Sequence, residues 1–259
     1  MENNQKIKDY LDSEGVICRK FDEILDIARA AGGDREKLRD SLGEGYDGCR
    51  SEQEFYNKML EFAGNAPIYD LLKGRSRDFL EWMLGKTVEK GIRGKVLDIG
   101  CGNGLEICLF GELGGQEVIG IDINKKLLTE AEKRIKRRGL KNTKAIIGDR
   151  DNLKFPKNYF DFVTSLNSII TDGEFYGRDS DIAYNYAIGD RTKQIAMVLK
   201  KGGTAVVSLP VSEGYGEVYQ DKLSFSFKLA GFSEILEKTQ YSKYLEDKIF
   251  VDVFVAARK

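Results

Sequence analysis

The sequence contains no histidine in 259 residues, so it lacks the side chain that most often carries protons near neutral pH. Catalysis through a Ser–His or Cys–His pair is therefore excluded. Any general base must be an Asp, Glu, Lys or Tyr side chain, or a group of the bound ligand. The four cysteines are Cys18, Cys49, Cys101 and Cys108, and no two have Cys-x-x-Cys spacing. The sequence accordingly predicts no metal site.

Long apolar runs and a dominant sign of charge are also missing. No stretch of 18 apolar residues occurs, and the opening Met-Glu-Asn-Asn-Gln-Lys lacks the apolar segment of a signal peptide. Lys and Arg together number 41 and Asp and Glu 42, which gives a net charge of −1. We therefore expect a cytoplasmic protein without a membrane partner, whose surface as a whole is not built to bind nucleic acid.

Three alternating glycines interrupt an apolar run at residues 96–107. The segment from Lys95 to Ile99 has the composition of a buried parallel strand, and Leu105 to Leu113 can continue as a helix. The range from Gly100 to Gly104 therefore forms a strand-to-helix turn. Glycine tolerates positive φ there and lets a ligand approach the backbone closely, while the helix N-terminus offers free N–H groups. The pattern indicates a nucleoside-binding turn.

Further strands follow in β-α-β order, and several end in polar residues. They are predicted at 117–124, 144–147, 160–166 and 203–209, with a helix from Lys125 to Arg138 and a turn at Leu199-Lys-Lys-Gly-Gly. Two more strands are predicted at 231–239 and 248–257, after a helix at 218–230.

The strand ends carry acidic residues where ligands bind in open α/β sheets. Asp98, Asp122 and Asp149 lie at three successive ends, and a carboxylate at position 122 can accept both hydroxyls of a ribose. A nicotinamide-dependent dehydrogenase would place its third glycine at position 105, where this chain has leucine. The spacing therefore argues against a dehydrogenase.

The motif set resembles the class I S-adenosylmethionine-dependent methyltransferases over roughly residues 92–259. It comprises Asp-x-Gly-x-Gly-x-Gly at 98–104, the acid at 122, Gly148-Asp149, Tyr159-Phe-Asp-Phe-Val and Leu199-Lys-Lys-Gly-Gly. The resemblance implies a Rossmann-like α/β sheet, mostly parallel with its last strand antiparallel. It also implies S-adenosylmethionine as cofactor and methyl transfer as the reaction.

The resemblance further assigns parts of the cofactor to individual residues. The glycine turn would lie against the methionine and ribose, and Asp98 would help to hold the amino group. Asp122 would bind the ribose hydroxyls, Asp149 the exocyclic amine of adenine beside the Arg150 N–H, and residues 165–167 would line the methionine end. The expected cofactor-binding residues of the sheet are Asp98, Gly100, Gly102, Asn103, Gly104, Asp122, Ile123, Asp149, Arg150 and Asn167.

The first 90 residues have a different pattern and predict a helical cap or extension before a cofactor-binding domain at 91–259. Apolar residues follow helical spacing in three stretches, at 21–28, 55–62 and 68–83, so three helices are expected. These helices either cover the active site or serve packing and association. Arg75 either reaches the methionine carboxylate or is solvated.

The segment 169–190 is the second long insertion and is predicted to emerge as a loop at the cofactor end of the sheet. Its tyrosines, Tyr176, Tyr184 and Tyr186, are the catalytic candidates, because a hydroxyl there can orient a nucleophile. The alternative is that these aromatics pack on the helical cap and never contact substrate. Cys101 lies inside the glycine turn and is expected to pack rather than react.

Three functions remain open at the level of sequence. The first is methyl transfer by in-line displacement to a small molecule, because residues 165–168 read Ser-Leu-Asn-Ser, not the Asn/Asp-Pro-Pro-Tyr of adenine N-methylating enzymes, and no Pro-Cys pair occurs. The second is an enzyme that transfers or cyclises the aminocarboxypropyl group of the same cofactor. The third is a non-catalytic cofactor-binding regulatory protein. The oligomeric state stays open.

Overall fold

The computed structural model describes residues 2–44, 49, 52–169, 180–211, 213–245 and 248–259. The chain divides into two compact units, Met1–Gly85 and Lys86–Lys259. Over the described ranges, no helix combines the length and the apolar character that crossing a membrane requires.

The first unit is helical. Its described residues form α1 (Glu2–Ser13), α2 (Phe21–Ala30), α3 (Arg35–Glu44), α4 (Glu52–Phe62), α5 (Ile68–Arg75) and α6 (Arg77–Glu89), the last of which continues into the second unit. The prediction of three helices was wrong. Helix α3 carries few apolar residues and so gives a weak periodic signal, whereas α1 carries Ile7, Tyr10 and Leu11 at helical spacing within an otherwise polar segment. The stretch predicted at 68–83 is divided at Ser76 into two helices.

The core of the first unit is built on one face of α2. Ile24, Leu25 and Ala28 are fully buried and belong to one apolar cluster with Leu38 of α3 and Met59 of α4. The spacing of the α2 residues places them on one stripe of the helix, as the sequence predicts. A polar helix such as α3 is held in this unit by a single buried leucine and by its neighbours rather than by its own periodicity.

The second unit is an α/β sheet. Within the described residues its strands are β1 (Gly94–Ile99), β2 (Gly115–Asp122), β3 (Thr143–Ile147), β4 (Phe160–Leu166), β5 (Leu199–Val211), β6 (Glu234–Leu245) and β7 (Lys248–Arg258). Their order across the sheet is β3-β2-β1-β4-β5-β7-β6. Strand β7 is antiparallel to both neighbours, so the other six strands run parallel. This confirms the predicted Rossmann-like fold with its last strand antiparallel.

Four helices accompany these strands in the described part of the unit. They are α7 (Leu105–Glu112), α8 (Lys125–Arg137), α9 (Ser180–Val198) and α10 (Gly216–Leu229). The strand order reverses between β1 and β4, which places the carboxyl ends of β1, β2 and β4 around the point where ligands bind in open sheets.

Several predicted boundaries differ from the structure, and three of the differences have a local cause. Strand β5 begins at Leu199 rather than after a turn, because its pairing with β4 skips from Leu199 to Thr204 and Gly202 takes φ 78° inside the irregularity. Strand β6 begins at Glu234 because Gly231 has φ 91° and ends the preceding helix. Helix α9 begins at Ser180, so the described end of the segment 169–190 is helical rather than a loop.

Candidate functional site

The glycine turn joins the ends of β1 and β2. The N–H groups of Gly100 and Cys101 both donate to the carbonyl oxygen of Ile121, at 2.8 and 2.9 Å. The three turn glycines have φ of 80°, 52° and 80°. A Cβ on Gly100 would overlap the side chain of Ser168, and a Cβ on Gly104 would lie 2.8 Å from the Cβ of Ala131. The turn therefore needs glycine at both positions to keep this conformation and its packing against Ser168 and Ala131.

Asp122 closes the turn from the end of β2. Its Oδ2 accepts the N–H of Gly102 at 2.9 Å, and its Oδ1 accepts the N–H of Asn124 at 2.8 Å. Burial raises the pKa of this carboxyl, and the backbone N–H groups of Asn124 and Gly102 offset part of the rise. A carboxylate has about four lone-pair sites, so Asp122 keeps acceptor capacity for a vicinal pair of hydroxyls.

Asp98, at the end of β1, is 2 % exposed. Its Oδ1 accepts the hydroxyl of Thr164, in the neighbouring strand β4, at 2.6 Å. Asn103, which is also buried, lies between the last two turn glycines, and its carbonyl oxygen accepts Nη1 of Arg134 at 2.5 Å. Asp98 thus joins β1 to β4, and Arg134 of α8 binds the backbone of the glycine turn.

Asp149 and Arg150 lie in the turn after β3. The N–H of Gly148 donates to the carbonyl oxygen of Asp122 at 3.0 Å, which joins this turn to the end of β2. Asp149 is exposed, and its Oδ1 accepts the N–H of Asp151 at 2.9 Å. The Nη1 of Arg150 donates to the carbonyl oxygen of Ser168 at 2.7 Å, so this side chain reaches the end of β4.

A cavity of about 340 Å³ opens beside this turn. Isoleucines supply much of its wall, among them Ile123, whose side chain is 55 % exposed. Among the described residues, the lining comprises Ile121, Ile123, Ile146, Ile147, Gly148, Asp149, Asn152, Lys154 and Phe155. A largely apolar wall that also carries a carboxylate and a few other polar groups suits a flat heterocycle with an exocyclic amine.

Asn167 lies just beyond the end of β4 in the left-handed region, at φ 53°. Its N–H donates to the carbonyl oxygen of Ser208 at 3.0 Å, and the hydroxyl of Ser208 donates to Asn167 Oδ1 at 2.9 Å. A non-glycine residue with φ in this region is held there by its surroundings, and for Asn167 the partner is Ser208 of β5.

Four predicted site residues remain, the three tyrosines and Arg75. Tyr176 lies outside the described residues, as does the side chain of Tyr184, and Tyr186 on α9 is 74 % exposed. Arg75 belongs to the first unit, where its guanidinium lies 4.8 Å from the ring centre of Phe21. The catalytic roles of the tyrosines and the binding role of Arg75 therefore stay predictions.

Cys101 is buried inside the turn. Burial raises the pKa of its thiol well above the ordinary value, and the nearby carboxylates of Asp98 and Asp122 add to the rise. A neutral thiol is a poor nucleophile, so the arrangement suits packing rather than covalent chemistry. Across the described ranges, no group of three or more Cys, Asp or Glu side chains is arranged to hold a metal ion.

Sequence reasoning missed one polar cluster near the site. Arg191 of α9 is almost fully buried, and its guanidinium binds both carboxylate oxygens of Asp151, at 2.6 and 3.2 Å. No local signal identifies this pair, because 40 residues separate its members along the chain.

The profile of the family described as "Methyltransferase domain" matches residues 92–248. The chain is 31% identical over 177 residues to a demethylmenaquinone methyltransferase of Geobacillus stearothermophilus, covering 65% of this chain and 68% of the relative. It is 28% identical over 228 residues to the ubiquinone/menaquinone biosynthesis C-methyltransferase UbiE of Azotobacter vinelandii, covering 83% and 84%.

Solved structures agree on the fold. The YcgJ protein of Bacillus subtilis matches with a TM-score of 0.54 at 15% identity, over 69% of this chain and 98% of that one. The [4+2]-cyclase SpnF matches with a TM-score of 0.54 at 20% identity, over 72% and 82%. The glycine turn, the acids at the strand ends and the matched family together show that this chain belongs to the class I methyltransferases and uses S-adenosylmethionine as its cofactor.

Proposed function

We propose that this enzyme transfers a methyl group by in-line displacement to a small molecule, and that the accepting atom is a ring carbon of a hydroquinone. The observation that carries the proposal is the extent of the similarity to the C-methyltransferase of A. vinelandii. That similarity covers 83% of this chain, more than residues 92–259 can supply, so it includes part of the N-terminal helices. Acceptor specificity lies outside the shared cofactor fold, and a likeness there supports a related acceptor.

The proposed chemistry balances without a metal. The cofactor supplies a methyl group on a sulfonium, which is an excellent leaving group. A carbon beside a phenolate oxygen forms the new C–C bond as the S–C bond breaks, and the same carbon then loses its proton to restore the aromatic ring. The products are S-adenosylhomocysteine and the methylated hydroquinone. Alignment of the reacting atoms can supply about 7–11 kcal/mol of the acceleration.

The residues of this chain would bind and align the reactants. Asp122 would accept the ribose hydroxyls, Asp98 the ammonium group, and Asp149 the adenine amine at the edge of the apolar cavity. This division fits the geometry, because the three carboxylates lie at or just beyond the carboxyl ends of adjacent strands β1, β2 and β3. Asn167, fixed by Ser208, would line the methionine end.

Proton removal from the phenol or ring carbon would fall to a tyrosine or carboxylate near the acceptor, since the chain has no histidine. Tyr176, Tyr184 and Tyr186 remain the candidates. Single Tyr→Phe changes should lower kcat by no more than about 10²–10⁴-fold, the usual contribution of one general acid or base. Because the proposed steps use no metal, chelators should leave activity unchanged.

For the first 90 residues we propose the capping role rather than a packing or association role, with Arg75 as the candidate for the methionine carboxylate. Hydrogen exchange with and without S-adenosylhomocysteine tests this part of the proposal. We expect new protection in α2 and α5 as well as in the glycine turn. Protection confined to the second unit would leave the helices with a packing or association role.

The acceptor is tested with two matched naphthohydroquinones and methyl-labelled cofactor. One has a free ring carbon beside a hydroxyl, and in the other both such carbons carry methyl groups. We expect S-adenosylhomocysteine and a ring-methylated product from the first compound and no transfer to the second. Transfer to both would indicate attack by oxygen. Methylthioadenosine as product would indicate aminocarboxypropyl chemistry, and cofactor binding without turnover on a wide acceptor panel would favour a regulatory protein.

A further inference from the structure

Arg191 is a buried arginine that connects three parts of the second unit. Its side chain, on α9, is 6 % exposed. Nε and Nη2 donate to the two carboxylate oxygens of Asp151, and Nη1 donates to the carbonyl oxygen of Ile169 at 2.5 Å. A planar guanidinium can make this bidentate pair and a third bond at once, whereas an ammonium group cannot.

The carboxylate that Arg191 binds belongs to the turn after β3. The N–H of the same Asp151 donates to Asp149 Oδ1 at 2.9 Å, and the N–H of Asn152 donates to the carbonyl oxygen of Asp149 at 3.1 Å. A displacement of Asp151 would therefore shift the carboxylate of Asp149, which lines the apolar cavity. The contact between Arg191 and Asp149 is thus indirect and passes through one residue.

A second arginine, Arg150, also connects the turn after β3 to the residues that follow β4, and it does so from the side of the turn. Arg150 extends from the turn after β3 to the carbonyl oxygen of Ser168, next to the carbonyl that Arg191 binds. Two guanidinium groups thus hold consecutive carbonyls at the end of β4 against the turn that carries Asp149. The distance between the end of β4 and this turn is fixed by charged hydrogen bonds rather than by loop packing.

The solvent exposure of Arg191 and Asp151 shows which of the two side chains needs the other as a hydrogen-bond partner. The side chain of Asp151 is 54 % exposed and can be solvated by water, whereas Arg191 is buried and requires a protein acceptor. Because a buried guanidinium without its carboxylate is strongly unfavourable, helix α9 determines where Asp151 lies. The position of Asp149 follows from that of its neighbour.

We propose that Arg191 is a positioning residue for adenine selectivity: through Asp151 it holds the Asp149 carboxylate where the exocyclic amine of the cofactor binds. This inference rests on the proposed role of Asp149. A purine with a carbonyl in place of the amine would present an acceptor to this carboxylate, and the loss of a hydrogen bond to a charged group would disfavour it.

The test measures two affinities by calorimetry, for S-adenosylhomocysteine and for its inosine analogue, which carries that carbonyl. The wild type should prefer the adenine compound by roughly 10- to 100-fold. Arg191→Met should lower this preference by about tenfold, and Asp151→Asn should lower it in the same direction. Arg191→Lys should fall between the wild type and Arg191→Met. The double variant Arg191→Met/Asp151→Asn should lose no more preference than Arg191→Met alone.

The ratio of the two affinities does not depend on how much of a variant is folded. A variant that only loses stability therefore keeps the wild-type ratio. Arg138→Met is the control, because that guanidinium pairs with Glu112 and Arg138 precedes β3, at the opposite end of the strand from the turn that carries Asp149. A preference retained in Arg191→Met, Arg191→Lys and Asp151→Asn would overturn the inference alone. A wild type without preference would overturn the adenine contact of Asp149 and the inference with it, while methyl transfer would stand or fall by its own product assay.

Discussion

Removing the Asp122 carboxylate should weaken cofactor binding far more than it weakens the fold. In the structure the carboxylate oxygens accept the backbone N–H groups of Gly102 and Asn124, and a carboxylate with about four lone-pair sites keeps acceptor capacity for ribose hydroxyls. Asp122→Ala removes an acceptor for the ligand and also loosens the glycine turn. Hydrogen bonds to a charged group contribute roughly 1.5–3 kcal/mol, so the Kd for S-adenosylhomocysteine should rise about 10- to 150-fold.

Asp161→Ala provides a matched comparison. Asp161 lies at the start of β4, at the opposite end of the parallel strands, and its Oδ2 likewise accepts a backbone N–H, from Lys95, at 2.8 Å. This variant should lose stability through its contacts with Lys95 and Lys200 and keep its affinity for the ligand. Calorimetric titration of both variants, with thermal unfolding to record stability, separates binding from folding.

The carboxyl group of Asp122 also predicts that the affinity for the cofactor depends on pH. Burial raises the pKa of Asp122 in the free protein, while ribose hydroxyls bind the ionised form best. Affinity should therefore fall on acidification, starting at a pH above the ordinary carboxyl value of about 3.9, and this fall should be absent in Asp122→Ala. For the free protein, the contribution of this group to stability runs the other way: it is present at low pH and is lost as pH rises through the raised pKa. A Kd that is unchanged in Asp122→Ala would refute the ribose assignment.

Gly104→Ala should destabilise the fold by roughly 1–2 kcal/mol for a side chain on a left-handed backbone, plus about 1–3 kcal/mol for overlap with Ala131. Gly139→Ala, at φ 67° with open space around it, should show only the first of these costs, and chemical denaturation measures both variants. Iodoacetamide at mildly alkaline pH should modify exposed Cys18 and leave Cys101 unmodified until the protein unfolds; rapid native labelling of Cys101 would contradict the raised thiol pKa. Burial alone would raise the pKa of Glu237, but hydrogen bonds from two lysines lower it, so its stabilisation is present above the unfolded value of about 4.3 and is lost as pH falls through the lower folded value. Glu237→Gln should cost about 1 kcal/mol or less near neutral pH and flatten that acid dependence in thermal melts.

The sheet could be predicted because buried parallel strands are nearly continuous apolar runs, and their ends are marked by a change to glycine and aspartate. The strand ending at Asp98 and the turn after it follow this pattern directly. Helix α3 could not be predicted in the same way, because Leu38 is the one fully buried apolar side chain among its described residues, so its position depends on tertiary contacts rather than on local periodicity. Helix α1 buries Ile7, Tyr10 and Leu11 at helical spacing, but these residues stand in an otherwise polar segment and their pattern was missed.

The candidate site likewise contains residues that local spacing predicts and residues that it does not. Asp122 and the turn glycines were recognisable from spacing alone, since a short strand and a tight turn fix their geometry locally. Arg191 was not, because a buried arginine in a long helix and an exposed aspartate in a distant loop reveal their pairing only when the sheet is assembled. Local geometry is encoded in neighbouring residues, whereas bonds that fasten one loop to another are encoded across the whole fold.

The place of β7 between β5 and β6 has a consequence for synthesis on the ribosome. The six parallel strands precede it in the chain, yet the outermost strand β6 is joined to the rest of the sheet only through residues 248–258. Until those residues emerge, β5 has an open edge and β6 has no partner in the sheet, and open edges invite pairing with other nascent chains. The nascent protein therefore acquires its cofactor turn early and its complete sheet last, and chaperone protection matters most in the interval between the two.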